Sequence, residues 1–292
     1  MRADLDTLLI ALYCAACALF PSHPQPRRGR PEKITDNELL CLMSAQMLLG
    51  QPSDRRFLRL AQARLSRLFP RLPSQSRYNE RCRRLAGKLV SLWRAIAREL
   101  PGYHDWLLLL DTTPLPCGQS VETTRTSQLS PYCGFGYSPA HSRLSWGMRL
   151  VLLLGPDGCV RDFDLVPADT PEREAALSLL ERQPIPGQLV ICDKGFAGRE
   201  LEQAVRELGF LIIRPSRQDE PHRPQPPIGW IRQRIESIVS TLKGQLRLEE
   251  HSARTPEGLL VRITARILAL CAAIHLNWQL GRPPRSLAAY AH

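Results

Sequence analysis

The chain has 292 residues, of which 43 % are apolar and 23 % are charged, so it can bury at least one sizeable core in one or two domains. Lys and Arg outnumber Asp and Glu by 39 to 28, and the resulting net charge of +11 indicates a polyanionic partner without identifying it. The nine scattered cysteines include no paired zinc-ligand pattern and favour reduced thiols over a disulfide framework. The apolar run 8–20 is too short to span a bilayer, and acids precede it. We therefore expect a cytoplasmic protein that does not enter a membrane.

Residues 1–33 are predicted to form an N-terminal helix and a basic, proline-rich linker. Within the linker, Arg28 and Arg30 flank a glycine and precede a proline. This short pattern resembles an AT-hook, which lies in a narrow A·T minor groove. A solvated basic linker is the alternative interpretation. Both arginines are candidate DNA contacts.

Residues 34–100 have the spacing of a small helical bundle. Thr35 and Glu38 form a capping-box pattern that begins one helix. A second helix is predicted to begin at Ser53, and a third to extend over 77–100. Arginines cover the predicted outer faces, so we expect this region to bind DNA.

Beyond residue 101 the hydrophobic period changes to that of strands. The predicted order is strand 106–110, strand 147–154, strand 159–166, helix 171–181, strand 188–192, helix 198–208, strand 210–213, and helices 229–248 and 256–280. This order is that of an α/β RNase H-like fold, a mixed sheet flanked by helices. We assign residues 101–292 to this catalytic domain.

Three acids stand out in this predicted domain. Asp111 follows a run of four leucines, Asp193 follows another buried strand, and Glu236 lies on a predicted helix. Each alone has an ordinary explanation as a solvated strand end, a helix cap or an exposed helical acid. Together they suit two-metal phosphoryl transfer, which requires several carboxylates from separate elements around a pair of ions. Hard oxygen ligands favour Mg²⁺ or Mn²⁺.

The surrounding segments resemble a known family. LLLLDTTPLP, VICDKGFAG and IRQRIESIVSTLKGQLRLE are similar to the three acidic blocks of DDE transposases from bacterial insertion sequences. The resemblance implies that Asp111, Asp193 and Glu236 bind two Mg²⁺ or Mn²⁺ ions. It also implies cleavage at the ends of an insertion element and joining of the freed 3′-hydroxyl to target DNA. Arg232 and Lys243 match signature positions that contact DNA phosphates near the cleavage site.

The family signature usually begins with a tyrosine three positions before its arginine, but Gly229 stands there in this chain. Trp230 is a candidate to supply the ring. Lys194, beside Asp193, and Arg214, at the end of the last predicted strand, are further candidate DNA contacts with ordinary structural alternatives. An ion pair between Arg232 and Glu236 on one helix surface is the alternative to a DNA role for that helix.

The resemblance implies double-stranded DNA as the partner, both as terminal inverted repeats and as target, and a homodimer that holds two ends together. A bacterial, nucleoid-associated location follows. Two alternatives remain open: a metal-dependent nuclease of the same fold without strand transfer, and a non-catalytic DNA-binding protein derived from a transposase. Asp162 and Asp164 compete for the metal, but their alternation is typical of the polar face of a hairpin.

Overall fold

A computed structural model of the chain describes residues 3–21, 32–138, 143–183, 186–217, 220 and 228–291. The chain divides into two compact units. The first consists of Met1–Glu99, Thr241–Ala253 and Glu257–His292, and the second of Leu100–Ser240 and Arg254–Pro256. The first unit thus contains residues from both ends of the sequence. The assignment of 34–100 to DNA binding and of 101–292 to catalysis stays a prediction about function.

The first unit is helical throughout its described elements. Its helices are α1 (Leu5–Leu19), α2 (Asp36–Leu48), α3 (Asp54–Arg64), α4 (Gln75–Arg84), α5 (Ala86–Glu99) and most of α10 (Pro256–Gln279). The predicted capping box is present at α2: the Glu38 amide donates to Thr35 Oγ1 at 3.2 Å, and the Thr35 amide donates to Glu38 Oε2 at 2.6 Å. Ser53 caps α3 through the Arg56 amide. Local sequence signals therefore set these helix starts.

The helix predicted over 77–100 is in fact two helices, α4 and α5, that meet at Leu85. Leu85 adopts φ −89° and ψ 7°, outside the α-helical range, although its amide still donates to the Arg81 carbonyl. Gly87 lies just beyond, and glycine is a poor helix former. The continuous apolar period of the sequence concealed this break.

The helix α10 is long and apolar enough to cross a membrane, with a mean hydropathy of 1.9 over its candidate span. Most of that span, 83 %, is nevertheless buried inside the protein, as in the core helix of a globular domain. Its buried Arg266 donates to the carbonyls of Leu246, Arg247 and Arg262, so each nitrogen of the guanidinium has a hydrogen-bond acceptor.

The second unit is built on one mixed sheet of six strands. They are β1 (Leu107–Gly118), β2 (Gly134–Ser138), β3 (Arg143–Leu154), β4 (Val160–Pro167), β5 (Leu189–Ile191) and β6 (Leu211–Ile213). The order is β2–β3–β1–β5–β6, and β4 pairs with β3 as well. The β1–β3, β2–β3 and β3–β4 pairs are antiparallel, whereas β1–β5 and β5–β6 are parallel.

Four helices accompany the sheet: α6 (Val121–Thr126), α7 (Glu172–Glu181), α8 (Arg199–Glu207) and α9 (Gly229–Lys243). Leu108 and Leu110 of β1 belong to the same buried cluster as Leu179 of α7 and Val205 of α8. The architecture is the predicted mixed sheet flanked by helices after an all-α region. The strand β2 and the short helix α6 lie in 119–146, where no element was predicted.

The strand β1 is longer than predicted and continues past Asp111 to Gly118. It pairs with β5 only over Leu107–Leu109, so beyond that point only its edge toward β3 is paired. Pro114 and Pro116 are tolerated in this half because a proline can face an unpaired edge without losing a ladder hydrogen bond. The strand was predicted to end at residue 110 because the continuous apolar run stops there.

Candidate functional site

Asp111 lies on β1, and Asp193 follows the end of the neighbouring parallel strand β5. Leu109 of β1 pairs with Ile191 of β5, and each aspartate comes two residues later on its own chain segment. Because strand side chains alternate with a period of two, this register directs both carboxylates to the same face at the same edge of the sheet. The predicted convergence of the two aspartates therefore follows from the strand pairing.

The environment of Asp111 disfavours its negative charge. Burial, followed by the charges of Asp193 and Glu172, raises the pKa of Asp111 to about 6. A hydrogen bond from the Thr112 amide to Oδ1, 2.8 Å long, and the charge of Arg232 act in the opposite direction. Asp111 is thus held among like charges that an additional cation would neutralise.

The helix α9 brings a cation to the same edge of the sheet. Nη2 of Arg232 lies 3.1 Å from Oδ1 of Asp193, and the Lys194 amide donates to that oxygen at 2.7 Å. The ion pair of Arg232 is therefore with Asp193, not with Glu236 as in the surface-pair alternative. Ile231 and Ile235 are buried on α9, so Arg232 and Glu236, each one residue later, flank the same side of the apolar stripe.

Glu236 is exposed, and its side chain forms no hydrogen bond or ion pair with the residues that the structure describes. Among the described residues, no group of three or more His, Cys, Asp and Glu side chains is close enough to hold a metal ion. The donor set still fits a hard divalent cation, because carboxylate oxygens are its preferred ligands and because burial and then like charge disfavour the ionised form of Asp111. Arg232 pairs with Asp193, one of the two carboxylates that such a cation would use.

The competing acids of β4 are paired elsewhere. Asp164 Oδ2 lies 2.8 Å from Arg182 Nη1, and Asp162 Oδ2 lies 3.5 Å from Nε of the same arginine. Gln183 donates to Asp162 as well. These pairings join β4 to the end of α7 and are structural.

A comparison with known families assigns the chain to one of them. The sequence matches the profile of the transposase DDE domain over residues 103–272, more than half of the chain. The chain belongs to the transposase DDE domain family. The match includes Asp111, Asp193 and Glu236. Members of the family are DNA-cutting enzymes that generally use divalent metal ions.

One solved structure is similar to this transposase: the cryo-EM structure of the piggyBac transposase synaptic complex with hairpin DNA. The two are 13 % identical, with a TM-score of 0.47, and the likeness covers 97 % of this chain and 76 % of that one. No curated protein was found with a similar sequence.

Two candidate DNA contacts of the transposase have exposed side chains. Lys194 directly follows Asp193, and its side chain is exposed. Trp230, two residues before Arg232, is 58 % exposed, and the Arg234 guanidinium lies 4.9 Å from its ring centroid. Both side chains are available to a ligand.

Three other predicted DNA contacts lie outside the described part of the second unit. Lys243 belongs to the first unit of the transposase, where its Nζ lies 3.1 Å from Glu249 Oε1. Arg28 and Arg30 lie outside the described residues. The DNA contacts predicted for these three residues remain predictions.

Arg214 was predicted to contact DNA, and the structure contradicts this prediction. Its side chain is buried, with its guanidinium bonded to Glu202 Oε1 at 2.7 Å and to Glu220 Oε2 at 2.6 Å, and it also donates to the Pro215 carbonyl. A buried arginine with two carboxylate partners has no donor left to offer a phosphate. Arg214 therefore has a structural role in this transposase, and we remove it from the candidate DNA contacts.

Glu172 is a residue that the sequence did not single out. It begins α7, and its Oε1 accepts a hydrogen bond of 2.9 Å from Thr112 Oγ1, beside Asp111. Nη1 of Arg149 lies 3.8 Å from the same oxygen. An acid in the first turn of a helix is ordinary, which is why its position gave no signal.

Proposed function

We propose that this protein is an active transposase that cuts double-stranded DNA at the ends of an insertion element and joins the freed 3′-hydroxyl to target DNA. Its second unit would be an RNase H-like catalytic domain. The register that sets Asp111 beside Asp193, with Arg232 against Asp193, supports this proposal most directly. The family match over the same residues supports the reaction class.

In this proposal Asp111, Asp193 and Glu236 hold two Mg²⁺ or Mn²⁺ ions. When bound, such ions lower the pKa of an attacking water or 3′-hydroxyl and stabilise the leaving oxygen. The protein itself orients the site, because the Thr112 amide fixes one oxygen of Asp111. Arg232, already at this edge, is placed to hold a phosphate oxygen once Asp193 has another cationic partner.

Binding of DNA would rest on several surfaces. Lys194, directly after Asp193, and Trp230, two residues before Arg232, are exposed, and Lys243 is a further phosphate contact in the proposal. Arg28 and Arg30 would add a minor-groove contact. The helical region 34–100 would bind the terminal inverted repeats, consistent with a net charge of +11. Because two ends must be held together, a homodimer is proposed, acting at the bacterial nucleoid in the cytoplasm.

The first experiment measures Mg²⁺-dependent cleavage of DNA that carries the element ends. Asp111→Asn, Asp193→Asn and Glu236→Gln should each abolish cleavage while the protein stays folded. Asp164→Asn is the matched control, because this aspartate lies on β4 of the same sheet, which pairs with β3 and not with β1 or β5, and is bonded to Arg182. Full activity in any of the three variants would remove that residue from the site.

The second experiment supplies pre-cut ends and measures joining to a target plasmid. A transposase yields joined product, whereas a nuclease of the same fold cleaves DNA without joining it. DNA binding without cleavage in Mg²⁺ or Mn²⁺ would identify a non-catalytic derivative and contradict the proposal.

A further inference from the structure

The Glu172 carboxylate lies between the two chain segments that carry Asp111 and Asp193. One oxygen, Oε1, accepts the hydrogen bond from Thr112, the residue directly after Asp111. The other, Oε2, lies against Gly195, two residues after Asp193: a β-carbon placed on Gly195 would be 2.8 Å from it. Glu172 therefore touches both segments from a third element, α7.

Glu172 approaches β1 from the face opposite to the one on which the Asp111 side chain lies. Thr112 and Asp111 are successive strand residues, so their side chains leave the strand on opposite faces. Thr112 pairs with Val151, and Val151 belongs to the buried cluster under α7. Glu172 therefore acts on Asp111 indirectly, through Thr112 and the backbone of β1. It is not a third metal ligand on the face of the sheet to which Asp111 and Asp193 point.

Arg149 fixes the start of α7, the segment that carries Glu172. Its side chain is mostly buried, its Nη1 donates to the Thr170 carbonyl at 2.9 Å, and the same atom lies 3.8 Å from Glu172 Oε1. The start of α7 is consequently held against β3 at the residue that contacts the other two segments. Because Glu172 is held in this way, its carboxylate can set the positions of Thr112 and Gly195.

We propose that Glu172 is a positioning residue that fixes the separation of Asp111 and Asp193 through Thr112 and Gly195. The effect of Glu172 on catalysis rests on the proposed function. Its positioning of the two segments does not depend on that function. Removal of the carboxylate would leave the Thr112 hydroxyl without its acceptor and would open space beside Gly195. Both aspartates would then be less well placed for a shared pair of cations.

Amide hydrogen exchange tests the structural content directly. In Glu172→Ala, the amides of Phe196 and Ala197, which donate to the Asp193 and Lys194 carbonyls, should exchange several-fold faster than in the wild type. Glu174→Gln is the matched control, since Glu174 is exposed in the same first turn of α7. Unchanged exchange in Glu172→Ala would overturn the proposal whether or not the protein cleaves DNA.

Cleavage and Mn²⁺ titration test the catalytic consequence. Glu172→Ala should lower the cleavage rate roughly ten- to a hundred-fold, because misplacement by about 1 Å has effects of that size, and should weaken Mn²⁺ binding without changing DNA affinity. Glu172→Gln should retain most activity, because its amide oxygen still accepts from Thr112. Thr112→Val should resemble Glu172→Ala, and the double variant should be no worse than either.

These measurements distinguish a failure of the positioning role from a failure of the proposed function. If Glu172→Gln is as inactive as Asp111→Asn, Glu172 is a metal ligand and the positioning role is wrong. If the wild type does not cleave DNA, the proposed function fails, and the exchange rates still decide whether Glu172 positions the two segments.

Discussion

Nη2 of Arg232 lies 3.1 Å from Oδ1 of Asp193, so that a cation from α9 neutralises one of the two aspartates at the edge of the sheet. Arg232 and a metal ion would compete for the same carboxylate. The first prediction concerns this competition.

Arg232→Gln should bind Mn²⁺ more tightly than the wild type and cleave DNA more slowly. Loss of the arginine removes a repulsive charge beside Asp193, and because the pair is partly exposed we expect a change of roughly two- to five-fold in affinity. Isothermal titration with Mn²⁺ measures it. Arg206→Gln, an exposed cation on α8, should leave the affinity unchanged. Equal or weaker Mn²⁺ binding in Arg232→Gln would contradict the competition.

Arg214 and Lys194 should separate stability from DNA binding. Arg214→Met leaves Glu202 and Glu220 without their buried partner, so the free energy of unfolding should fall by about 3–5 kcal/mol. The salt dependence of DNA binding should not change for the protein that remains folded. Lys194→Ala should leave the free energy of unfolding unchanged. It should reduce the dependence of the DNA-binding constant on salt concentration by the amount expected for about one phosphate contact. A changed slope in Arg214→Met would restore Arg214 as a DNA contact.

Trp230→Ala should weaken binding of end-containing DNA by about 1–3 kcal/mol if its exposed ring stacks on a base. Trp230→Phe should retain most of the affinity, because a phenyl ring also stacks. Trp106, which is 65 % exposed just before β1, provides the control. Fluorescence anisotropy with labelled DNA measures all three variants. Equal losses for Trp230→Ala and Trp106→Ala would show that no specific stacking occurs.

The pH dependence of stability should include a contribution from Asp36 at the start of α2. Burial raises the pKa of Asp36, but hydrogen bonds and charges from Lys88 and Arg81 outweigh it and hold the pKa below its ordinary 3.8. A depressed pKa stabilises the fold above the unfolded value, and this stability is lost as the pH falls through the folded value.

Asp36→Asn should therefore lower the free energy of unfolding by about 1–3 kcal/mol at pH 7, and the difference should shrink as the pH falls below 3.8. Urea unfolding followed by circular dichroism at several pH values measures it. Glu80→Gln, which removes an exposed partner of Arg77 and Arg84, should cost less than about 1 kcal/mol. A pH-independent effect of Asp36→Asn would refute the assignment.

The sequence predicted the features that depend on local chemistry or on a strong period. Thr35 and Glu38 carry their capping signal within four residues. The mixed sheet followed from the order of apolar runs. The break at Leu85 was missed because the side-chain period continues across it.

The features that were missed depend on residues distant in sequence. Arg214 resembled a phosphate contact because Glu202 and Glu220, which bury it, cannot be identified as its partners from spacing. Glu172 gave no signal because its importance comes from Thr112, 60 residues earlier, and from Gly195. Glu236 was predicted from the family resemblance, and its participation in the site remains a prediction.

The prolines of β1 have a consequence for how the protein behaves in a crowded cell. A strand with one unpaired edge can template pairing with a strand from another molecule. Pro114 and Pro116 lie in the half of β1 that β5 leaves uncovered, and neither offers an amide hydrogen to an incoming strand. This half of β1 is therefore a poor starting point for pairing with another molecule and for aggregation.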